Sequence, residues 1–531
     1  MLAASGRKTV HIAAAVLAVL SAAYYALYVD AGFNYTDDGN YAQTAFELFL
    51  GRSPLDLDLS YGVAWYQAGA ALFHLFGVDF LLVRLLFFSA ITLTTLLVFY
   101  SLAGVSGSLL LCALLSGVIA LVPAFPATAF YGLCVALNAA AQLRLASRLG
   151  NVTPLDGILA GVAAGLSFQI RPDFGLIFAG SLAVIALLLF WPERRPAGGK
   201  VAGGMVLGFL AVALAAAALA FAGGYESILA RQYLDYPKLL AGLLVNGVTG
   251  GAGPGPSLTL LARPGLSTPG LAALAYGPIV FFVLCAGYGL LALKTHKRNA
   301  VALAQIVVAL AAGVATFPHY FFYRPDLSHI ANFMPGFVVM LGVFMSLSKR
   351  DAPRPAVLVG AGLSALYLAL YLAIGLPSPA TGSIGVSTGR TETFVAENGV
   401  KVRVAPEEYA QLVFLRDTIA ANSRPGDAIV CVPYCPGVAF MTGRRMLLDN
   451  FYADDTFPAL RPQWLSTAIA ETRAARPPVI LVQDWAINGT EQSRFANWAG
   501  SYVAAAKELA RDTLAGPATT AYLINPAPRS N

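Results

Sequence analysis

The chain has 531 residues, 57% of them hydrophobic and only 12% charged, with a mean hydropathy of +0.67. Soluble globular proteins carry roughly 25% charged residues; half that value, spread over apolar runs near the length that spans a bilayer, makes lipid the solvent and excludes a soluble enzyme. A net charge of +6 is too small for this length to suggest nucleic acid, and in a membrane chain such an excess collects in cytoplasmic loops.

Taken in order, the apolar runs predict eleven spanning helices, at 10–29, 81–103, 108–123, 127–146, 154–170, 174–191, 201–222, 271–293, 300–317, 331–347 and 355–375. The first lacks a small-residue cleavage site ahead of a soluble domain, and further spans follow, so it reads as an uncleaved anchor. Basic residues give the orientation. With the N-terminus inside, Arg7, Lys8, Arg144, Arg148, Arg194, Arg195, Lys200, Lys294, Lys297, Arg298, Lys349, Arg350 and Arg354 all fall on cytoplasmic segments. Every second connection is basic, apart from the very short one at 103–107, and an odd number of crossings puts the C-terminus outside. No internal repeat of the kind that marks many transporters is visible.

The outer face receives the long segments. The first, 30–80, holds helical patterns at 41–50 and 64–77; the second pattern is broken by Gln67 and His74, is short for a crossing, and suits a helix lying at the interface. Residues 224–270, with a Gly/Pro stretch at 250–256, and 318–330 are further outer loops. A transmembrane domain thus covers 1–376, a Pro/Gly/Ser/Thr-rich linker 377–390, and a soluble extracytoplasmic domain 391–531. In that domain, short β-branched runs at 427–433, 478–483 and 519–524 alternate with helical patterns at 407–422, 462–475 and 492–514, which predicts a small α/β layer fold. Cys112, Cys134 and Cys285 lie in apolar runs and read as core packing. Cys431 and Cys435 lack the second pair or His cluster of a zinc site; outside the cytoplasm they either form a short-loop disulfide or stay unpaired.

Polar groups at bilayer depth need a reason. Three clusters stand out, all on the predicted outer face: Asn34 to Tyr41 with Asp37 and Asp38, then Arg171-Pro172-Asp173, then His319 to His329 with Tyr323, Arg324 and Asp326. Each has a plain structural alternative. Asp37 and Asp38 suit a helix start, Arg171 and Asp173 a turn with a local ion pair, and His329 a hydrogen bond to a backbone carbonyl. The chemical alternative combines them. A carboxylate can take a proton from an acceptor hydroxyl, guanidinium forks pair with phosphate oxygens, and histidine supports either task. Aromatics such as Trp65, Tyr66, Tyr320 and Tyr323 suit the headgroup level. Acids and arginines outside, at lipid depth, with no nucleotide-binding Gly loop, point to transfer from a lipid-linked phosphate donor.

Several stretches carry a family resemblance. Thr36-Asp37-Asp38-Gly39-Asn40-Tyr41-Ala42 is similar to the acidic motif that opens the first outer loop of the GT-C superfamily of polyprenyl-phosphate-sugar-dependent glycosyltransferases. Gly77 to Arg84 resembles the entry to their second span, and Pro425-Gly426-Asp427 with Tyr434 and Gly443-Arg444 resembles their outer tail domain. The nearest groups are protein O-mannosyltransferases, aminoarabinose transferases and lipopolysaccharide-core galacturonosyltransferases. The resemblance implies a polytopic helical membrane fold with a small C-terminal α/β domain. It also implies an acidic catalytic base, at Asp37 or Asp38, with Asp37 the first choice. Many members carry a second acid in the next outer loop; 122–131 contains none. Either Asp173 or Asp326 takes that place and helps hold a divalent ion, or the reaction runs without metal; the resemblance implies no other cofactor.

The expected function is an inverting transfer of a sugar from a polyprenyl-phosphate donor to an extracytoplasmic lipid, glycan or protein. Asp37 and Asp38 are the catalytic candidates; Arg324, Arg171 and His329 the donor-phosphate ligands; and Asp173, Asp326, His319, Tyr41, Tyr323 and Arg84 the supporting residues. The alternative is a transporter or flippase of a lipid-linked glycan, which should carry its charges at mid-bilayer in broken helices rather than at one face. A third is a non-catalytic assembly protein. The Ala-rich composition and the lack of eukaryotic sorting signals point to a bacterial inner membrane.

Overall fold

The structure, a computed structural model, describes residues 4–57, 62–190, 195–235, 269–295, 300–318, 320–321, 326–351, 354–432, 435–448, 464–483 and 492–524. A helix falls on every predicted span. Eight are long and apolar enough to cross a membrane: Gly6–Ala26, Phe80–Ala103, Pro126–Ser147, Pro172–Leu189, Gly198–Ala222, Ala300–Pro318, Leu327–Lys349 and Pro355–Gly375. The others coincide with the apolar helices Leu109–Leu121, Pro154–Ile170 and Pro269–Thr295. The chain is a polytopic α-helical membrane protein with a small C-terminal sheet domain. It divides into two compact units, one of Met1–Tyr28, Phe87–Gly247 and Gly253–Val386, the other of Val29–Leu86, Val248–Ala252 and Ser387–Asn531.

The helical unit is held by devices suited to lipid, where apolar side chains gain nothing by leaving the acyl chains. Gly157, Gly161 and Gly165 line one stripe of Pro154–Ile170, and Gly204 and Gly208 answer them on Arg195–Ala222. A Cβ on Gly161 would run into the Met205 carbonyl, and one on Gly208 into the Ile158 carbonyl, so the two backbones touch. Buried amides add polar glue: Asn138 Nδ2 donates to Ser167 Oγ (2.7 Å), Gln142 Nε2 to Asn138 Oδ1 (3.3 Å), and Ser181 Oγ to Gln142 Oε1.

Tyrosine hydroxyls finish a helix end and a proline break. Leu109–Leu121 is short, and its final carbonyls need donors. Tyr25 donates to Ala120 O (3.1 Å), Tyr24 to Leu121 O (2.9 Å) and Tyr371 to Val122 O (2.8 Å). Pro278, inside Pro269–Thr295, has no N–H for the Leu274 carbonyl. Tyr367 donates to Leu274 O (2.9 Å) instead, and Tyr320 to Ala275 O (3.1 Å). The predicted linker is partly folded: Ser383 is buried, its Oγ donates to Gly375 O (2.8 Å), and Gly385 N donates to Leu376 O.

The second unit joins residues 29–86 to the C-terminal sheet domain. Its five-stranded sheet has the order β4-β3-β5-β7-β6, with β3 Ala428–Val432, β4 Arg445–Met446, β5 Val479–Gln483, β6 Asp512–Gly516 and β7 Thr519–Leu523. β3 runs parallel to both β4 and β5, and β7 antiparallel to β5 and β6. Val430, Ile480, Tyr502, Ala506 and Tyr522 share one buried cluster. The helix expected over 492–514 stops at Leu509. Pro517 cannot continue a helix, Ala518 takes φ +48°, and the intervening residues become β6. A two-stranded hairpin, β1 Glu392–Val395 and β2 Lys401–Val404, precedes the sheet. Its turn holds Asn398 and Gly399 at φ +53° and +67°, the left-handed pair that tight hairpins favour.

β2 also binds the start of the first outer loop. Gly32 N donates to Arg403 O (2.7 Å), Arg403 N to Asp30 O (2.8 Å), and the Arg403 guanidinium makes two bonds to the Asp30 carboxylate. The guanidinium holds the Asp30 carboxyl below its ordinary range. The loop contains two helices, Asp37–Phe49 and Val63–Phe76. Trp65, Tyr66, Gly69, Ala70 and Phe73 of the latter are buried, and Leu75 and Phe76 at its end are exposed.

Candidate active site

The acidic motif is built by a local turn. Asn34 Oδ1 accepts from Thr36 N (2.9 Å), Asp37 N (3.0 Å) and the Thr36 hydroxyl, and Gly39 N donates to Asn34 O (2.8 Å). That turn launches Asp37–Phe49 with two acids in its first turn, where the helix dipole favours negative charge.

The two acids then part. Asp37 is exposed and Asp38 is buried. Asp38 Oδ2 lies 2.8 Å from Arg84 Nη2, with the side chains 2% and 5% exposed. Arg84 also donates from Nη2 to Gly32 O (2.9 Å) and from Nη1 to Ala31 O (3.3 Å), and its guanidinium lies 5.1 Å from the Phe80 ring centroid. Arg84 thus ties the acidic helix to the strand-like segment ahead of it. Tyr41 is buried, donates to Trp65 O (2.6 Å) and stacks on Tyr66, which places it in the packing between the loop's helices.

The turn before the acids meets the sheet domain. Cys431, at the end of β3, is disulfide-bonded to Cys435, the residue before the short helix Pro436–Met441. Gly437 N donates to Tyr35 O (2.8 Å). The Tyr35 hydroxyl accepts from Gln411 Nε2 (3.3 Å), and burial raises its pKa. A second buried acid escaped the sequence reading: Glu47 accepts from Gln43 Nε2 (2.9 Å), Met446 N (3.0 Å) and Arg445 Nε (3.2 Å). Arg444 is buried, with hydrogen bonds to Ser423 Oγ (3.0 Å) and Ser423 O (2.7 Å).

In the helical unit, Arg171-Pro172-Asp173 joins two helices. Arg171 is extended, as a residue before proline prefers, and Pro172 opens Pro172–Leu189. The Arg171 fork meets both Asp173 oxygens (2.8 and 2.7 Å), and its third nitrogen donates to the Tyr131 hydroxyl. Asp326 lies just before Leu327–Asp351; its Oδ1 accepts from His329 N (3.1 Å) and Ser328 Oγ (2.6 Å) and lies 2.7 Å from His329 Nδ1. Three residues along that helix, Asn332 accepts from Thr128 Oγ1 (3.0 Å), one turn before Tyr131. Thr128, Tyr131 and Asn332, none singled out in the sequence, therefore link the starts of three helices and the polar groups upon them. His319, Tyr323 and Arg324 lie outside the described residues. Among the described residues no group of three or more His, Cys, Asp or Glu is placed to hold a metal ion.

No protein-family model matches the chain. No curated protein matches it either. Among solved structures it is similar to the crystal structure of ArnT from Cupriavidus metallidurans bound to undecaprenyl phosphate, with a TM-score of 0.52 and 12% identity over 98% of each chain. At that identity the likeness is one of fold, and it extends over nearly the whole of both chains.

Proposed function

We propose that this protein is a membrane glycosyltransferase that moves a sugar from a polyprenyl-phosphate donor to an extracytoplasmic lipid, glycan or protein, with inversion. The observation that carries the reading is the division of labour in the acidic pair: Asp38 is locked to Arg84, while Asp37, its chain neighbour, faces solvent. The fold supports it, being shared with a protein crystallised with undecaprenyl phosphate. Asp37 takes the proton of the acceptor hydroxyl as that oxygen attacks the anomeric carbon. The carbon–oxygen bond to the donor phosphate breaks, and the lipid phosphate leaves with the electron pair. Cations on the donor phosphate stabilise the departing charge. Arg324 remains the first candidate from sequence. Arg171 is the second: its fork holds a carboxylate in the geometry that also suits phosphate, so the donor would take the place of Asp173. His329, oriented by Asp326 through Nδ1, supports it. The chain sits in a bacterial inner membrane with its N-terminus in the cytoplasm and the sheet domain in the periplasm.

The test is transfer from a panel of radiolabelled polyprenyl-phosphate sugars in membranes carrying the wild type or Asp37→Asn. One of these donors should be consumed, and the variant should lose turnover by about 10² or more. Wild-type turnover by Asp37→Asn would remove the base, and consumption of none of the donors by the wild type would remove the reading.

A further inference from the structure

We propose that Gly437 and the Cys431–Cys435 disulfide are positioning elements for Asp37, so that the sheet domain sets the turnover of the first outer loop. The inference rests on Asp37 being the base.

The contact leaves no room for a side chain. A Cβ on Gly437 would lie 2.7 Å from the Cα atoms of both Gly39 and Tyr35, and one on Gly39 would lie 2.5 Å from Gly437 Cα. Backbone therefore meets backbone on both sides of the acidic pair, two residues before Asp37 and one after Asp38. The Gly437 N–H fixes the Tyr35 carbonyl at 2.8 Å, and the Tyr35 side chain is held separately by Gln411. The peptides that aim Asp37 are thus set by where Gly437 stands.

Gly437 is placed in turn by the disulfide. Cys431 is the penultimate residue of a strand paired on both sides, and the bridge ties it to Cys435, two residues before Gly437. Val438, Phe440 and Met441 anchor the rest of the short helix in the core. A loop closed by a separation of four residues removes little entropy from the unfolded chain, so chain stabilisation accounts for less of this bridge than of a long-range one. Local geometry is what it fixes. A displacement of about 1 Å at a reacting group can cost on the order of 10²-fold in rate.

The experiment measures kcat and donor KM on the full chain in membranes. The variants are Cys431→Ser/Cys435→Ser and Gly437→Ala, each with and without Asp37→Asn. Both clamp variants should lose kcat about tenfold or more while donor KM stays within about twofold. Dithiothreitol, which is oxidised to its cyclic disulfide as it delivers two electrons and two protons to the cysteines, should bring the wild type to the rate of the serine pair and leave that pair unchanged. In the Asp37→Asn background the clamp variants should add no further loss. Should Gly437→Ala fail to accumulate, the serine pair and the dithiothreitol comparison decide alone. A serine pair with wild-type kcat overturns the proposal while the base assignment stands. An equal loss with and without Asp37 overturns it too, because the clamp would then act through folding. Undiminished turnover in Asp37→Asn removes the base itself.

Discussion

Replacing Arg84 with alanine separates the two roles of the acidic pair. Arg84 and Asp38 form a charge pair with both side chains nearly sealed from water. Removing one partner of such a pair leaves an uncompensated buried charge, which costs about 3–5 kcal/mol. The carbonyls of Ala31 and Gly32 lose donors as well, at about 1–3 kcal/mol for each buried group left unsatisfied. Those figures approach the roughly 5–15 kcal/mol that holds a domain folded. Arg84→Ala should therefore lower the melting temperature of the purified protein in detergent steeply and expose 29–86 to protease. Asp38→Ala should do nearly as much. The double change Arg84→Met/Asp38→Ala should cost clearly less than the sum, because no charge remains buried. Asp37→Asn, at an exposed helix start, should stay within about 1 kcal/mol of wild type. Strict additivity of Arg84→Met and Asp38→Ala in the thermal melts would refute the pair as the anchor of this loop.

Asp30 adds a pH dependence. Its carboxyl is held low chiefly by the Arg403 guanidinium, so its contribution is present above the ordinary carboxylate pKa of about 3.9 and is lost as pH falls through the lower folded value. The stability gap between wild type and Arg403→Met should be constant near neutrality and close below about pH 4; a gap unchanged down to pH 2.5 would show that Asp30 titrates normally. In the helical unit, Gly161→Ala should destabilise by about 1–3 kcal/mol through overpacking against Met205, whereas Gly180→Ala, with nothing within 4 Å, should be neutral or slightly stabilising. Equal melting temperatures would mean that the helices do not touch there. Cysteine labelling in intact cells should reach Ser257 and Thr490 from outside and spare Lys297, three positions beyond the described residues; a cytoplasmic Thr490 would invert the topology.

The membrane helices were legible because lipid enforces length and hydropathy segment by segment, and each predicted span has its helix. The β1–β2 hairpin was equally local: Asn398-Gly399 lies between alternating strands and could have been read. Partnerships across the chain were not legible. Arg84 stood in a motif of its own, with nothing in its spacing to join it to Asp38. Gly437 carries no side chain to notice, and its meaning lies wholly in the Tyr35 and Gly39 backbone it touches. Thr128, Tyr131 and Asn332 look like ordinary helix residues until three helix starts converge.

The choice between Asp37 and Asp38 shows why such information is missing from sequence. Successive helix residues project about 100° apart, so two adjacent acids cannot face the same surroundings. An apolar stripe normally tells which one points inward. Here it cannot, because Asp38 through Glu47 are all buried, polar residues included. The helix is enclosed on every side by its own loop and the sheet domain, both within one compact unit. Asp37 escapes only as the first helical residue, held at the rim by the Asn34 turn before it. Its exposure is thus a property of the residues that enclose the rest of the helix, and a base made available in this way depends on the packing of Gly437 as much as on its own side chain.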